Sequence, residues 1–362
     1  MRDRLVRQAS FQGLREDSPA PKVMRETPAP LHATKGDDGE GNGRRERGRQ
    51  DRTVKKRESA MPAQFHITHP EKVLDRESGM TKQALAQYYF AVADRMLPHV
   101  AGRPLSVVRC PEGTGKPCFF QKHVGRGLPS GVDSIAVPNR KTGKEEEFLT
   151  LDSAEGLVGL AQMGVLEVHP WGSRNEALDW PDRIVFDLDP DAAIPFSVLA
   201  ETARALKQRL EGFEVESFLK STGGKGLHVV APVEPEREWE AIKKFAHAVV
   251  LEMEARRPEL YVTKASKWER KNRIFLDYLR NDREATSVAP FSPPARSGAP
   301  VAMTLAWSEL KAGEIPVFRV ADFDDWRRRL ARDPWKEMPK VKQRLNAEAL
   351  RAAAAESKKR RP

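Results

Sequence analysis

The amino-acid sequence predicts an α/β or α+β domain built around a mixed β-sheet. Amphipathic helical segments alternate with short apolar strands between about residues 64 and 340. The sequence shows no internal repeat, and neither a helix bundle nor a β-sandwich fits the alternation. The chain of 362 residues is long enough to bury one substantial core, with or without a small satellite.

The elements can be placed in chain order. Thr81 is predicted to be the N-cap of a first helix with a 3.6-residue apolar pattern, formed by Leu85, Tyr88, Tyr89, Val92 and Met96. Another helix carries Leu199, Ala203, Leu206 and Leu210, and a further helix is predicted over Glu236–Ala255. Strands are predicted at residues 183–189, 214–220, 227–233 and 273–279.

The two ends of the chain differ from this core. Residues 1–62 are expected to form a disordered tail and linker, because the stretch from Thr34 to Glu58 has almost no large apolar side chains. The folded domain is placed at residues 63–342. Residues 343–362 are predicted to be a solvated helix that runs into a basic tail.

Composition narrows the function classes. A formal net charge of +10 favours a polyanionic partner, although charge alone does not establish nucleic-acid binding. Cys110 and Cys118 lack the spacing of a zinc knuckle, and we expect them to be small buried residues rather than a disulfide framework. No apolar run is long enough to cross a bilayer and no signal peptide is recognisable, so a cytoplasmic protein without a membrane partner is expected.

Three aspartates lie on predicted strands. Asp187 and Asp189 are two residues apart and should project from one face, where two like charges are costly without a cation between them. Asp277 lies in a second apolar strand, where a carboxylate is expensive to bury alone. Together they suit a two-metal site for phosphoryl transfer with Mg²⁺ or Mn²⁺, whereas a solvated turn would explain Asp187 and Asp189 alone.

A glycine-rich segment follows the first of these strands. Thr222, Gly223, Gly224 and Lys225 precede His228, and adjacent glycines allow backbone N–H groups to approach an anion. The spacing is not that of a Walker A loop, and an ordinary hairpin turn is the alternative. The position between two strands favours triphosphate binding.

Basic and aromatic residues extend this surface. Lys82 lies in the first turn of a helix, where a cation is disfavoured unless an anion binds, and Lys72 is near it in sequence. Arg109 and Lys122 flank Phe119 and Phe120; adjacent phenylalanines are commonly core residues, so at most one is expected to stack on a base. Five basic residues precede the Asp277 strand: Lys264, Lys267, Arg270, Lys271 and Arg273. Arg280 should point to the opposite face of the strand from Asp277, unless the strand ends before it. His169 could contact a nucleotide or have a structural role.

Several segments together resemble the polymerase domain of bacterial ligase D. The resemblance runs from about residue 64 to about 340 and includes RPLSVVRCPEG, FFQKHVG, LEVHPWGSR, VFDLDPD, STGGKGLHVVAPV and IFLDYLRNDREATSVAP. It implies an α+β primase-polymerase fold of the archaeo-eukaryotic primase type, with an RNA-recognition-like sheet, flanking helices and three metal-binding aspartates. It also implies bacterial end joining of double-strand breaks with a Ku-type partner. Gap filling and 3′-end extension with NTPs or dNTPs are the expected reactions, near the nucleoid and with good use of Mn²⁺.

The resemblance assigns roles by position. Asp187, Asp189 and Asp277 become catalytic metal ligands. The nucleotide-binding residues would be Thr222, Gly223, Gly224, Lys225, His228, Lys122, Arg109, Arg270, Arg280 and His169. Lys72, Lys82 and His69 would bind a DNA 5′-phosphate, and Phe120 would stack on the template.

Three positions depart from the family pattern. Thr222 replaces a serine and keeps the hydroxyl, and His69 replaces an asparagine. Pro294 replaces an arginine expected near the phosphates, and proline cannot supply a guanidinium; Arg296 is the candidate substitute.

Residues 8–30 resemble the end of a ligase module, but no KxDG adenylation motif is present, so a separate ATP-dependent DNA ligase is expected as partner. A weakly catalytic DNA-end-binding scaffold and a de novo primase are the alternative functions.

Overall fold

The computed structural model describes residues 61–62, 65–125, 127–311 and 313–359. The expectations for residues 1–60, including most of the linker and the ligase-like segment at 8–30, lie outside these residues. Within them, the helices are α1 Lys82–Val100, α2 Ala154–Gln162, α3 Phe196–Glu211, α4 Trp239–Arg256, α5 Phe323–Trp326 and α6 Ala347–Lys359. Short 3₁₀ turns occupy Asn175–Ala177, Trp307–Lys311, Arg327–Arg332 and Met338–Lys340.

A central six-stranded sheet carries the three aspartates. Its strands are β8 Arg183–Pro190, β9 Phe218–Ser221, β10 Leu227–Pro232, β11 Tyr261–Val262, β12 Ile274–Asp277 and β13 Thr304–Leu305. They lie in the order β11-β12-β8-β10-β9-β13, and only the β11–β12 pair is parallel. The sheet is therefore mixed, as the sequence predicted.

Two predicted strands are shorter in the structure. The strand expected over residues 214–220 begins only at Phe218, because Glu214 has a positive φ of 60° in the turn that follows α3. The strand expected over 273–279 covers Ile274–Asp277 and ends at the carboxylate itself.

The chain order within this sheet is β8-α3-β9-β10-α4-β12, and the four strands lie in the spatial order β12-β8-β10-β9. This is the split βαβ arrangement of ferredoxin-like and RNA-recognition-like sheets. The prediction of an RNA-recognition-like sheet is confirmed.

Side chains alternate strictly across the sheet. Ile184, Phe186 and Leu188 of β8 join the main core, to which the buried positions of α3 and α4 also belong. The intervening residues point to the other face, where Val185 packs with Phe218, Val230 and Trp335. Because side chains in a strand alternate, Asp187 and Asp189 project from that second face, away from α3 and α4.

A second, five-stranded sheet was not predicted. It comprises β3 Leu105–Arg109, β4 Phe119–Gln121, β5 Val132–Pro138, β6 Glu145–Leu151 and β7 Val165–Pro170, and all its pairs are antiparallel. Helices α1 and α2 pack against each other beside β7. A short hairpin of β1 Val73–Asp75 and β2 Met80–Thr81 leads directly into α1.

The predicted start and buried face of α1 are confirmed. The Thr81 hydroxyl accepts a hydrogen bond from the Ala84 N–H at 3.1 Å, which satisfies one otherwise unpaired donor of the first turn. All five predicted apolar positions of this helix are buried.

The C-terminal segment differs from its prediction. Residues Ala347–Lys359 are helical, but the segment is not simply solvated, because Leu345 and Ala349 are buried and α6 packs against α4. Gln343 Nε2 also donates to the Pro232 carbonyl at 2.6 Å, beyond the expected domain end. None of the helices described here is long and apolar enough to cross a membrane.

Candidate active site

The aspartates lie in a row of polar side chains that crosses four strands. Asp277 of β12 is the Cα partner of Asp187 in β8, Asp187 is the partner of His228 in β10, and His228 is the partner of Lys220 in β9. Partners directly opposite each other have neighbouring side chains on one face. The sequence-predicted aspartates and His228 are thus brought together. Asp189 lies two residues beyond Asp187 on the same face.

Two arginines hold these carboxylates. Arg280 Nη2 lies 3.1 Å from Asp187 Oδ2, and its Nε lies 3.3 Å from Asp277 Oδ2. Arg270 Nη1 lies 3.1 Å from Asp189 Oδ2, while its guanidinium stacks 3.7 Å from the centre of the Phe275 ring. Since β12 ends at Asp277, strand alternation does not apply to Arg280, which returns to the carboxylate face.

Burial and charge set the protonation of this row. Burial alone would raise the pKa of Asp187, but His228 and Arg280 outweigh it and hold that pKa well below its usual range. Burial and the Asp187 carboxylate raise the pKa of Asp277 despite Arg280, and partial burial together with Asp187 raises the pKa of half-exposed Asp189. The site therefore favours additional positive charge beside Asp189 and Asp277.

His228 is held as a neutral ring. Burial, and then the Lys220 ammonium, lower the pKa of His228 to about 4. Its Nε2 lies 3.3 Å from Asp187 Oδ1, so the neutral ring can donate to the carboxylate there. Its Nδ1 is buried without a hydrogen-bond partner among the described residues.

Lys220 was missed by the sequence reasoning. Its side chain is 2% exposed, its Nζ has no hydrogen-bond partner among the described residues, and burial lowers its pKa to about 7. The sequence did contain a pattern that could have identified Lys220. Lys220 and His228 lie on either side of the glycine-rich turn, and in the structure they pair directly across the β9–β10 hairpin. In its protonated form, Lys220 places a buried positive charge beside Asp187.

The glycine-rich turn is covered by the segment that contains Pro294. Gly223 has a φ of +70°, and a Cβ built on it would lie 2.7 Å from Pro294 Cγ. A Cβ on Gly224 would meet only the Arg296 guanidinium, the end of a flexible side chain that can move aside, so the close packing requires glycine at position 223 but not at 224. The Thr222 hydroxyl donates to the Gly226 carbonyl at 3.2 Å and closes the turn, whereas Lys225 is exposed.

The same segment joins this turn to the second sheet. The Ser292 hydroxyl accepts a hydrogen bond from the Val168 N–H at 2.8 Å, and the Ala295 N–H donates to Glu167 Oε1 at 2.7 Å. Glu167 Oε2 also lies 2.7 Å from His169 Nε2. Glu167 was not predicted, although it lies two residues from His169 and therefore shares its face of β7.

Aromatic residues lie at the edge of the second sheet. Phe119 and Phe120 of β4 are 47% and 50% exposed, so neither is the core residue that adjacent phenylalanines commonly are. Both side chains reach solvent because β4 is an edge strand with little covering it. Phe120 lies edge-on to His169 with ring centres 5.7 Å apart, and the Arg109 guanidinium lies 5.5 Å from the Phe119 ring. Arg109 also donates from Nη1 to Gln121 Oε1 at 3.1 Å, and Lys122 follows this strand.

The predicted phosphate-binding lysines are brought together by the β1–β2 hairpin. The backbone N–H of Lys82 donates to the Lys72 carbonyl at 2.8 Å. Lys82 Nζ donates to the Thr68 carbonyl at 3.0 Å, and burial, followed by the Lys72 charge, lowers the Lys82 pKa. Lys72 Nζ pairs with Glu112 Oε1 at 2.8 Å, and exposed His69 has a positive φ of 52° in the preceding turn.

Comparison with known proteins identifies the family. A model described as the LigD primase-polymerase domain matches residues 81–335. The chain belongs to the LigD primase-polymerase family. It is 34% identical over 355 residues to the multifunctional non-homologous end joining protein LigD of Pseudomonas aeruginosa, covering 95% of this chain and 39% of that protein. It is 28% identical over 260 residues to the bifunctional LigD of Bacillus subtilis, covering 71% and 41%.

A solved structure supports the same family fold. The polymerase domain of Mycobacterium tuberculosis ligase D, in complex with DNA, aligns with a TM-score of 0.70 and 30% identity, over 76% of this chain and 98% of that one. The predicted primase-polymerase fold and the resemblance to ligase D are confirmed. The chain spans about two fifths of the length of the curated LigD relatives, at 39% and 41% in the two cases above.

One prediction within this LigD primase-polymerase domain is wrong. Cys110 and Cys118 form a disulfide, and only Cys110 is fully buried. The bond is possible because β3 and β4 are paired antiparallel neighbours, which brings residues 110 and 118 together at their common end. The intervening loop also donates from the Thr114 N–H to the Leu74 carbonyl at 2.7 Å, beside Lys72.

Proposed function

We propose that this chain is a template-directed nucleotidyltransferase that fills gaps and extends 3′ ends at double-strand breaks in bacterial non-homologous end joining. Family membership supports a polymerase, and the related M. tuberculosis domain is described as a complex with DNA. The observation that carries the proposal is the row of Asp277, Asp187 and His228 across one sheet face, with Asp189 beside it. NTPs and dNTPs are the proposed substrates.

Two divalent ions, Mg²⁺ or Mn²⁺, are the proposed cofactors, with Asp187, Asp189 and Asp277 as their ligands. Carboxylate oxygens are the hard donors these ions prefer, and the Arg280 guanidinium between Asp187 and Asp277 indicates that this position accommodates positive charge. Among the described residues, no three His, Cys, Asp or Glu side chains are arranged to hold a metal ion, so ion binding would require the carboxylates to separate from Arg270 and Arg280 and draw together. Two bound ions supply activation of the 3′-hydroxyl and neutralisation of the triphosphate.

The nucleotide would lie between the glycine turn and the two arginines. Arg270 and Arg280, once released from the carboxylates, are positioned to neutralise triphosphate oxygens on the same sheet face. Arg296 packs on Gly224 and offers the guanidinium that Pro294 lacks. His228 would orient Asp187 through its Nε2–H, and His169, held by Glu167, would face the Phe120 edge of the pocket.

The DNA would be held by the hairpin and by β4. Lys72 and Lys82, with His69, are proposed to bind the 5′-phosphate downstream of a gap, where phosphate would displace Glu112 from Lys72. Phe120, half-exposed on the edge strand, is proposed to stack on a template base. A Ku-type end-binding protein and a separate ATP-dependent ligase are the proposed partners, since ligation requires chemistry that none of these residues supplies.

Primer extension on a gapped duplex with a downstream 5′-phosphate tests the function. Wild type should add a templated nucleotide with Mn²⁺ and either NTPs or dNTPs. The Asp187→Ala, Asp189→Ala double variant should lose incorporation by at least about 100-fold, because charge stabilisation at the transition state is lost. Asp133→Ala, at an exposed carboxylate of β5, is the matched control and should retain activity. DNA binding without any incorporation by wild type would instead favour an end-binding scaffold.

A further inference from the structure

One aromatic side chain beside the proposed active site is largely exposed to solvent. Trp268 is 80% exposed, the highest value among the large hydrophobic residues that the structure describes as exposed. It lies in the connection between β11 and β12, the strand that ends in Asp277. An indole left this open to water has an unused apolar face that an aromatic ligand could cover.

The surroundings of Trp268 are strongly cationic. The connection from Thr263 to Arg273 contains five basic residues and one acidic residue, Glu269, which pairs with Lys264 at 3.2 Å. Lys267 and Lys271 are exposed and form no ion pair with a described residue. An exposed aromatic ring with exposed lysines close to it in sequence fits an anionic ligand that also carries flat rings, which is the chemistry of single-stranded nucleic acid.

The connection is tied to the carboxylate site. Arg270, two residues after Trp268, contacts Asp189 at 3.1 Å and stacks on Phe275 at 3.7 Å. The Arg273 carbonyl accepts a hydrogen bond from the Asp191 N–H at 2.9 Å, which fixes the far end of the connection to the end of β8. Trp268 therefore lies on the rim of the proposed nucleotidyl-transfer site.

We propose that Trp268 stacks on an unpaired base of single-stranded DNA at this rim, with Lys267 and Lys271 contacting the flanking phosphates. The inference rests on the proposed function, because a polymerase that fills gaps or extends 3′ ends acts on DNA with a single-stranded part. Its basis is the exposed indole, the two exposed lysines and the link through Arg270 to Asp189.

Fluorescence anisotropy with a labelled oligo(dT) and with a 3′-tailed duplex tests the proposal, without metal or nucleotide. Trp268→Ala should weaken binding of both about 5- to 150-fold, the range expected for loss of one base–aromatic stack, and Trp268→Phe should recover most of it. The Lys267→Gln, Lys271→Gln double variant should reduce the slope of log Kd against log salt by about 1.4, at roughly 0.7 per lost phosphate contact. A blunt duplex should bind Trp268→Ala and wild type equally.

Trp180→Ala is the matched control. Trp180 is 41% exposed and lies among three glutamates and two basic residues, Arg237 and Lys244, so its surroundings are not cationic overall and its loss should leave DNA affinity unchanged. Unchanged thermal unfolding of Trp268→Ala confirms that the comparison is between folded proteins. Equal affinity of Trp268→Ala and wild type for the tailed DNA overturns this inference and leaves the polymerase proposal intact. Absence of DNA binding by wild type overturns both.

Discussion

At the scale of individual residues, sequence spacing predicted the positions of some site residues but not of others. The i, i+2 rule placed Asp187 and Asp189 on one face, and the structure adds their cross-strand neighbours Asp277 and His228. Arg280 could not be placed, because its position depends on where β12 ends rather than on strand alternation. The paired aspartates were also predicted to need a cation beside them, and in the structure two guanidinium groups supply part of that positive charge.

Arg296 provides a residue-scale prediction about nucleotide affinity. If it substitutes for the arginine missing at Pro294, Arg296→Ala should raise the nucleotide KM about 10- to 100-fold with little change in kcat, because a charged hydrogen-bond donor to phosphate is lost. Steady-state gap filling at varied nucleotide concentration measures both constants. Arg140→Ala, at an exposed arginine paired with Asp179, is the control. An unchanged KM in Arg296→Ala would show that this guanidinium does not contact the nucleotide.

Among whole elements, those with a strong periodic pattern were predictable. Helix α1 has both a capping threonine and a 3.6-residue apolar face, and β8 and β10 are predominantly apolar. The second sheet was missed because its strands lack such signals: β6 begins with three glutamates, and β4 exposes both phenylalanines. Their pairing depends on contacts distant in sequence, such as Leu105 with Leu149, which local patterns do not reveal.

The loop between β3 and β4 provides an element-scale prediction. The Cys110–Cys118 disulfide closes a loop with a sequence separation of 8 residues. Such a closure stabilises a protein by about 2–3 kcal/mol, chiefly by restricting the unfolded chain. Reduction, or a Cys110→Ser, Cys118→Ser double variant, should lower the free energy of unfolding by that amount in urea titrations. Adding reductant to the double variant is the control and should change nothing. Equal stability of wild type with and without reductant would contradict the prediction.

Across the whole molecule, a buried charged cluster joins the first helix and the second sheet to the central sheet. Arg103, which follows α1, pairs with Asp182 just before β8, and Arg103 Nη1 donates to the Trp171 carbonyl at 3.4 Å. Arg183 Nη1 donates to the carbonyl of His99 at 3.4 Å, and the His99 ring lies edge-on to Trp335. Buried pairs of this kind cost several kcal/mol when one partner is lost, so the junction should respond to protonation.

Lowering the pH from neutral should therefore destabilise this junction before the rest of the protein. Burial, reinforced by Arg183 and Arg103, lowers the pKa of His99 well below its usual value, so from about pH 6.5 downward the unfolded chain binds a proton that the folded protein excludes. Stability should fall with pH, approaching about 1.4 kcal/mol per pH unit for this histidine, and buried His228 should contribute in the same direction. Asp182, whose pKa the neighbouring arginines hold low despite burial, adds to the loss of stability only as the pH falls below about 4.

Urea unfolding at pH 7, 6 and 5 measures the slope of stability against pH, which His99→Gln should reduce and His66→Gln, at an exposed position, should leave unchanged. If His99→Gln retained the wild-type slope, the junction would not be the source of the acid sensitivity, and His228 would have to account for it.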